Sequence, residues 1–120
     1  MNKARMLELA DFIEKSETFD QTGWFNLCGT PACIAGHAVV CSGKWISYRE
    51  GSVINDAGEI ETVGRAASDW LELLRSQAVD LFDADPFESF YPESTAADAA
   101  ATLRRAAETG EIKWIRAGSD

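Results

Sequence analysis

The stretch TPACIAGHAVVCSG, residues 30–43, decides the fold of this chain. Thr30 is a good helix N-cap, and Pro31 suits the first helical position, where its missing N–H is not needed. The residues that follow are apolar on nearly every side, and Gly43 is a typical helix stop. A helix without a polar face is buried on most sides. We therefore expect a buried central helix over about residues 31–41.

Helical spacing of apolar residues marks the rest of the chain as well. It predicts a helix over residues 2–16, a second that begins at Thr62, a short third capped by Ser76, and a last one from Thr95 to Gly110. Leu71 and Leu74 are expected to face the core from the second of these. Thr95 and Asp98 have the spacing of a capping box, and Gly110 suits the C-cap.

Residues 45–61 have the composition of strands and a turn. Trp45 to Tyr48 and Val53-Ile54 are short strand candidates, and Asn55 to Gly58 has turn chemistry. We predict a small β-hairpin near residues 45–61. The fold class is then α+β and mainly helical, with about four to five helices packed round the central helix in a single domain spanning residues 1–120.

The bulk composition is that of a globular protein. Hydrophobic residues make up 46% and charged residues 26% of the 120 residues, which argues against disorder. No apolar run approaches the ~20 residues that cross a bilayer. The N-terminal segment is an amphipathic helix that contains Glu8 and Asp11, unlike a secretion signal. We expect a cytoplasmic protein that does not bind membranes.

The chain is strongly acidic, with a formal net charge of −9 at pH 7. Such a field repels phosphate backbones, so direct binding of nucleic acid is not expected. Between Arg75 and Arg104 there is no Lys or Arg, and the acids of this stretch include Asp80, Asp83, Asp85 and Glu88. Two interpretations stay open for these four acids: a solvated face, or a docking surface for a basic protein partner.

One group of residues has the elements of a chemical site: Cys28, Cys33, His37 and Cys41, with the spacing C-x4-C-x3-H-x3-C. The simplest interpretation is packing, because free Cys is among the most buried residue types and a His can hydrogen-bond a carbonyl. A second is a zinc site that uses Cys28, Cys33 and His37. The usual C-x2-C knuckle is absent, and Cys41 lies ~12 Å along the helix from Cys33.

A third interpretation is cysteine chemistry. With a helix that starts at Pro31, Cys33 is at the N3 position, where the helix dipole favours a thiolate, and His37 is one turn later as a base. A redox couple of Cys28 and Cys33 belongs to the same class. Against both stands the buried character of the helix, since a nucleophile must meet its substrate.

The segment from Cys28 to Ala38 resembles a motif, C-G-T-x-x-C-I-A-G followed by an aromatic residue or His and then Ala, of small uncharacterised proteins encoded in bacterial and tailed-phage genomes. The resemblance extends over most of residues 6–114. No activity is established for that group, so the resemblance implies no catalytic residue. A phage or mobile-element setting implies an accessory protein that works by binding.

The sequence therefore favours a non-enzymatic protein-binding accessory module, such as a phage or mobile-element encoded inhibitor that acts through its acidic surface. Two alternatives remain. One is a small zinc-binding protein, with zinc as its cofactor, and the other is a cysteine-dependent enzyme.

Overall fold

Five helices and three strands make up the part of the chain that the computed structural model describes, which is residues 1–20, 33–49, 52–82 and 94–118. In chain order they are α1 (Lys3–Glu14), α2 (Ile34–Ser42), β1 (Trp45–Arg49), β2 (Ser52–Asn55), β3 (Ile60–Thr62), α3 (Val63–Leu71), α4 (Arg75–Phe82) and α5 (Ala96–Thr109). The predicted α+β, mainly helical class is confirmed. No helix within these ranges is both long and apolar enough to cross a membrane.

Helix α2 occupies the centre, as predicted. Every residue from Ile34 to Val39 is buried, and the helix packs against α1, α3, α4 and β1. It ends where expected, with Gly43 in the left-handed conformation at φ +67°. A short apolar helix of this kind is stable because its neighbours bury it, and not because of its own propensity.

The predicted start of this helix is wrong. Cys33 has extended backbone angles, φ −80° and ψ 177°, and is the N-cap; its Sγ atom accepts a hydrogen bond of 3.4 Å from the Gly36 N–H. The helix thus begins at Ile34, three residues later than Pro31, and Cys33 is not an N3 residue. Thr30 and Pro31 themselves lie outside the described residues.

The hairpin is confirmed and belongs to a three-stranded antiparallel sheet of order β1-β2-β3. Asn55 forms the turn between β2 and β3, because its side-chain Oδ1 accepts from the N–H groups of Ala57, at 3.1 Å, and Glu59, at 2.9 Å. Gly58 completes the turn at φ +81°, a conformation that disfavours residues with a Cβ. Thr62 ends β3 and caps α3, as predicted.

Two predictions about α3 and α4 are wrong. Helix α3 ends at Leu71 because Glu72 adopts the left-handed conformation at φ 56°, which turns the chain, and Leu74 is consequently 68% exposed. Helix α4 begins at Arg75, so Ser76 lies inside it and is not its cap. The side-chain hydrogen bond at the start of α4 comes from Gln77 instead: its Oε1 atom accepts from the Leu74 N–H at 2.9 Å.

Helix α5 has the predicted capping box of Thr95 and Asp98 and the predicted Gly110 C-cap. Asp98 is buried and also holds the C-terminal segment: its Oδ1 accepts from the Ala117 N–H at 2.8 Å, and its Oδ2 from Arg116 at 3.2 Å. In the same segment Trp114 packs on the core and donates its indole N–H to the Leu81 carbonyl at 3.2 Å.

Candidate functional site

His37, the only histidine of the chain, lies fully buried in the first turns of α2. Its Nδ1 atom is 2.8 Å from the Cys33 carbonyl oxygen, and its Nε2 atom is 2.7 Å from the Ser16 Oγ atom. A carbonyl oxygen only accepts, so Nδ1 carries a proton and donates it. In the neutral ring Nε2 is then the acceptor of the Ser16 hydroxyl proton.

The surroundings of Ser16 fit that assignment. The Ser16 Oγ atom accepts from the Thr18 N–H at 3.2 Å and lies 3.2 Å from the Thr18 hydroxyl. A serine hydroxyl has one proton and two lone pairs. When the Ser16 hydroxyl donates its proton to His37, its two lone pairs accept from the N–H and the hydroxyl of Thr18. Each polar group in these contacts then has a partner.

Two aromatic rings cover the imidazole. The Phe12 ring contacts it edge-on with a centroid separation of 5.7 Å, and the Phe19 ring is tilted against it at the same separation. Phe12, Ser16 and Phe19 thus all contact the ring of His37 and tie the end of α1 to α2. The arrangement supports a structural function for His37, with both nitrogens engaged, as the packing interpretation expects.

Cys33 is similarly enclosed, with only 4% of its surface exposed. Its carbonyl accepts from both the backbone N–H and the ring of His37, at 3.0 and 2.8 Å. Its sulfur caps the helix. The pairing of a Cys33 nucleophile with a His37 base needs an accessible thiol and a free imidazole nitrogen, whereas this thiol is buried and the imidazole has a partner at each nitrogen.

The zinc site stays a prediction, because Cys28 lies outside the described residues. Within the described ranges no group of three or more His, Cys, Asp and Glu side chains is placed to hold a metal ion. Binding of zinc at His37 requires the loss of one of its two ring hydrogen bonds. Elemental analysis of protein purified without a chelating column decides the matter, and a stoichiometric zinc content is the result that establishes the site.

Cys41, the last cysteine of the C-x4-C-x3-H-x3-C group, is half-buried near the end of α2. Burial and, to a smaller extent, the neighbouring Glu8 carboxylate together raise the pKa of its thiol to about 11. A thiol in this state is a poor nucleophile at neutral pH.

Of the four acids predicted to bind a partner, Asp80 lies on α4 and is exposed, whereas Asp83, Asp85 and Glu88 lie outside the described residues. Asp80 is next to Val79, which is 46% exposed, and α4 is preceded by the exposed Leu74. A groove of about 540 Å³ runs between α3 and α4. Its walls combine the apolar residues Leu73, Ala78, Val79 and Phe82 with two arginines, Arg65 and Arg75.

The comparisons with known proteins give no assignment. No family model, curated protein or solved structure matches the chain. The resemblance of the Cys28–Ala38 segment to phage and bacterial proteins therefore stays a prediction, and function has to be inferred from the residues of the chain.

A second concave site was not predicted from sequence. It is a cleft of about 370 Å³ whose walls include Trp45, Trp70 and three acids, Glu59, Glu61 and Asp69. These residues come from β1, α3, β3 and the turn before β3. No local pattern connects them, so no sequence signal short of the tertiary fold identifies this cleft.

Proposed function

We propose that this protein is a non-enzymatic accessory module that binds a basic protein through the surface of α4 and the acidic segment that follows it. The formal charge of −9 and the lack of any Lys or Arg between Arg75 and Arg104 favour a partner with a basic surface. Carboxylates spaced along a surface can take the place of phosphates on such a partner. An inhibitor encoded by a phage or mobile element and acting in the cytoplasm fits this chemistry.

One observation carries the proposal: large apolar side chains and an acid are exposed together at α4. Leu74 is 68% and Val79 is 46% exposed, and the exposed Asp80 follows Val79 directly. Protein-binding surfaces combine apolar contact area, which supplies affinity, with charges, which steer association and select the partner. Exposed apolar residues of this size also occur at Leu7, Phe12 and Ile60, and those at α4 differ in that the acidic segment follows them in the chain.

The state of His37 and Cys33 supports the same proposal. The imidazole has a hydrogen-bond partner at each nitrogen, and the thiol of Cys33 is buried at a helix cap. These contacts are structural ones, so Cys33 and His37 favour surface recognition over cysteine chemistry, while Cys28 lies outside the described residues.

The test compares two sets of amide substitutions. The site variant combines Asp80→Asn, Asp83→Asn, Asp85→Asn and Glu88→Gln. The control variant combines Glu17→Gln, Asp56→Asn, Glu108→Gln and Glu111→Gln, four acids that are exposed elsewhere. Each set removes four negative charges from −9 and leaves −5, so nonspecific attraction changes equally.

Immobilised wild-type protein is expected to capture a basic partner from lysate in a salt-dependent manner. The site variant is expected to lose that partner at about 0.15 M salt, where exposed charges still interact over ~8 Å, while the control variant retains it. Replacement of both Leu74 and Val79 by Ser is expected to speed dissociation. Capture of no basic partner, or equal retention by the site and control variants, contradicts the proposal.

A further inference from the structure

The cleft that contains Trp45 and Trp70 shares no wall residue with α4 and has the composition of a cation site. The two indoles and the carboxylates of Glu59, Glu61 and Asp69 all contribute to its walls. Indole faces attract cations through the ring quadrupole, and nearby carboxylates add to that attraction. Proteins that recognise organic cations use the same two kinds of group, aromatic rings and carboxylates.

Both indoles already hold a cation that the chain itself provides. The Lys44 Nζ atom lies 5.1 Å from the centroid of the Trp45 ring, and the Arg5 Cζ atom lies 5.5 Å from that of Trp70. Both separations are within the range of cation–π contacts. Trp45 is a core residue with 9% of its surface exposed, so a ligand would meet this ring in place of Lys44.

The two cations differ in how firmly they are held. The Arg5 guanidinium also donates a 2.8 Å hydrogen bond to the Trp70 carbonyl at the end of α3, so it belongs to the packing of α1 on α3. Lys44 follows the Gly43 cap, its side chain is exposed, and the Trp45 ring is the contact that its ammonium makes within the described ranges. An ammonium on a flexible stem is readily displaced.

The charge of the walls favours a cation once Lys44 moves away. Three carboxylates and one cation, Arg5, then remain among the residues that line the cleft. Glu59 already accepts from the Asn55 side chain at 3.1 Å, and Glu61 lies 3.7 Å from Arg65. Asp69 is exposed, and its carboxylate has no partner among the described residues, so it is available to a ligand.

We propose that this cleft binds a positively charged organic group, a guanidinium or an alkylated ammonium, which takes the place of the Lys44 ammonium on the Trp45 ring. Lys44 thus competes with the ligand from within the chain. The cationic group belongs either to a side chain of a protein or to a small organic cation. The inference does not depend on the acidic segment that follows α4.

The test uses nuclear magnetic resonance to follow the indole N–H signals of the folded protein. The probes are N-acetylarginine amide, its neutral counterpart N-acetylcitrulline amide, and choline. Trp114 is an internal reference, because its indole N–H is bonded to the Leu81 carbonyl and it does not contribute to the cleft. Saturable shifts of the Trp45 and Trp70 signals are expected with the arginine compound or choline and not with the citrulline compound.

Substitution of Lys44 gives the sharpest result. Lys44→Met is expected to tighten binding of the cationic probe about threefold, because one competing cation–π contact is removed. Lys113→Met is the matched control, since it removes an equally exposed lysine elsewhere and is expected to leave the affinity unchanged. Asp69→Asn is expected to weaken binding about threefold by the loss of one carboxylate.

The relative affinities of the two cations identify the source of the ligand. Tighter binding of the arginine compound assigns the site to a protein side chain, and tighter binding of choline assigns it to a small quaternary cation. Equal shifts with the citrulline compound, no saturable shift at all, or an affinity of Lys44→Met no higher than that of Lys113→Met would overturn the proposal.

Discussion

The Nε2 atom of His37 lies 2.7 Å from the Oγ atom of Ser16, a residue 21 positions earlier in the chain. With the bond from Nδ1 to the Cys33 carbonyl, this contact ties the end of α1 to the start of α2. A buried polar ring is stable only when its nitrogens are satisfied, and here each of them has a partner. The histidine that first suggested chemistry is thus part of the framework.

Ser16→Ala is expected to lower the free energy of unfolding by about 1–3 kcal/mol, because it leaves Nε2 of a buried imidazole without its hydrogen-bond donor. Urea denaturation measures the change. Ser76→Ala is the control, since Ser76 lies exposed on α4, and a change within about 0.5 kcal/mol is expected there. Equal stabilities of the two variants would show that the contact between Ser16 and His37 contributes nothing.

Leu71→Ala is expected to destabilise the protein by about 2–5 kcal/mol, because Leu71 is fully buried and the smaller side chain leaves a cavity. Leu74→Ala is expected to change stability by less than about 0.5 kcal/mol, because Leu74 is largely exposed. Both residues are leucines three positions apart, so the pair tests where α3 ends. Similar large losses for both would mean that the helix continues through Leu74.

Asp98 gives a prediction about pH. Burial alone raises its pKa, but hydrogen bonds from the Ala117 N–H, from the N–H and hydroxyl of Thr95 and from Arg116 outweigh burial and hold the pKa below its usual value. A lowered folded-state pKa stabilises the protein above the unfolded-state value of about 4. That contribution is lost as the pH falls through the folded-state value.

Asp98→Asn is expected to destabilise the protein by about 1–3 kcal/mol at pH 7, through the loss of one acceptor oxygen and the charge. Its unfolding free energy is expected to depend less on pH below about 4 than that of the wild type. Thermal denaturation at a series of pH values measures both effects, with Glu108→Gln as a control for a lost surface acid. A variant whose acid dependence matches the wild type would show that Asp98 has an ordinary pKa.

Alkylation of Cys41 is expected to be slow in the folded protein. With a pKa of about 11, its thiolate fraction at neutral pH is roughly two orders of magnitude below that of a free cysteine. Mass spectrometry of peptides after iodoacetamide treatment follows this residue separately from the other cysteines. The rate should rise with pH, increase modestly in Glu8→Gln and reach the ordinary value in denaturant. Rapid labelling of folded protein at pH 7 would contradict this picture.

Local signals in the sequence predicted the elements well. The capping box of Thr95 and Asp98, the Gly110 cap and the turn at Asn55 each depend on residues within five positions of one another, and the structure has all of them. A stretch that is apolar on nearly every side and stops at Gly43 likewise identified the central α2 helix. These features follow from short-range hydrogen bonding and periodicity, which a sequence displays directly.

Tertiary contacts explain what the sequence did not predict. Helix α3 ends at Leu71, and the left-handed residue that follows it is Glu72 and not a glycine. The start of α1 meets this turn: the Asn2 side chain donates to Glu72 and the Asn2 N–H donates to the Leu71 carbonyl, both at 2.7 Å. The Cys33 cap depends similarly on His37, whose ring bonds to the Cys33 carbonyl. The partner of His37 and the walls of the tryptophan cleft are distant in sequence, so periodicity does not connect them.

Long-range proton–nitrogen correlation spectra of the ¹⁵N-labelled protein test the assignment of His37 most directly. The account predicts one neutral tautomer at pH 7, with the proton on Nδ1 and none on Nε2, and the same spectrum after zinc is added. A proton on Nε2 alone, rapid exchange between the tautomers, or a change in either nitrogen signal on addition of zinc would contradict it.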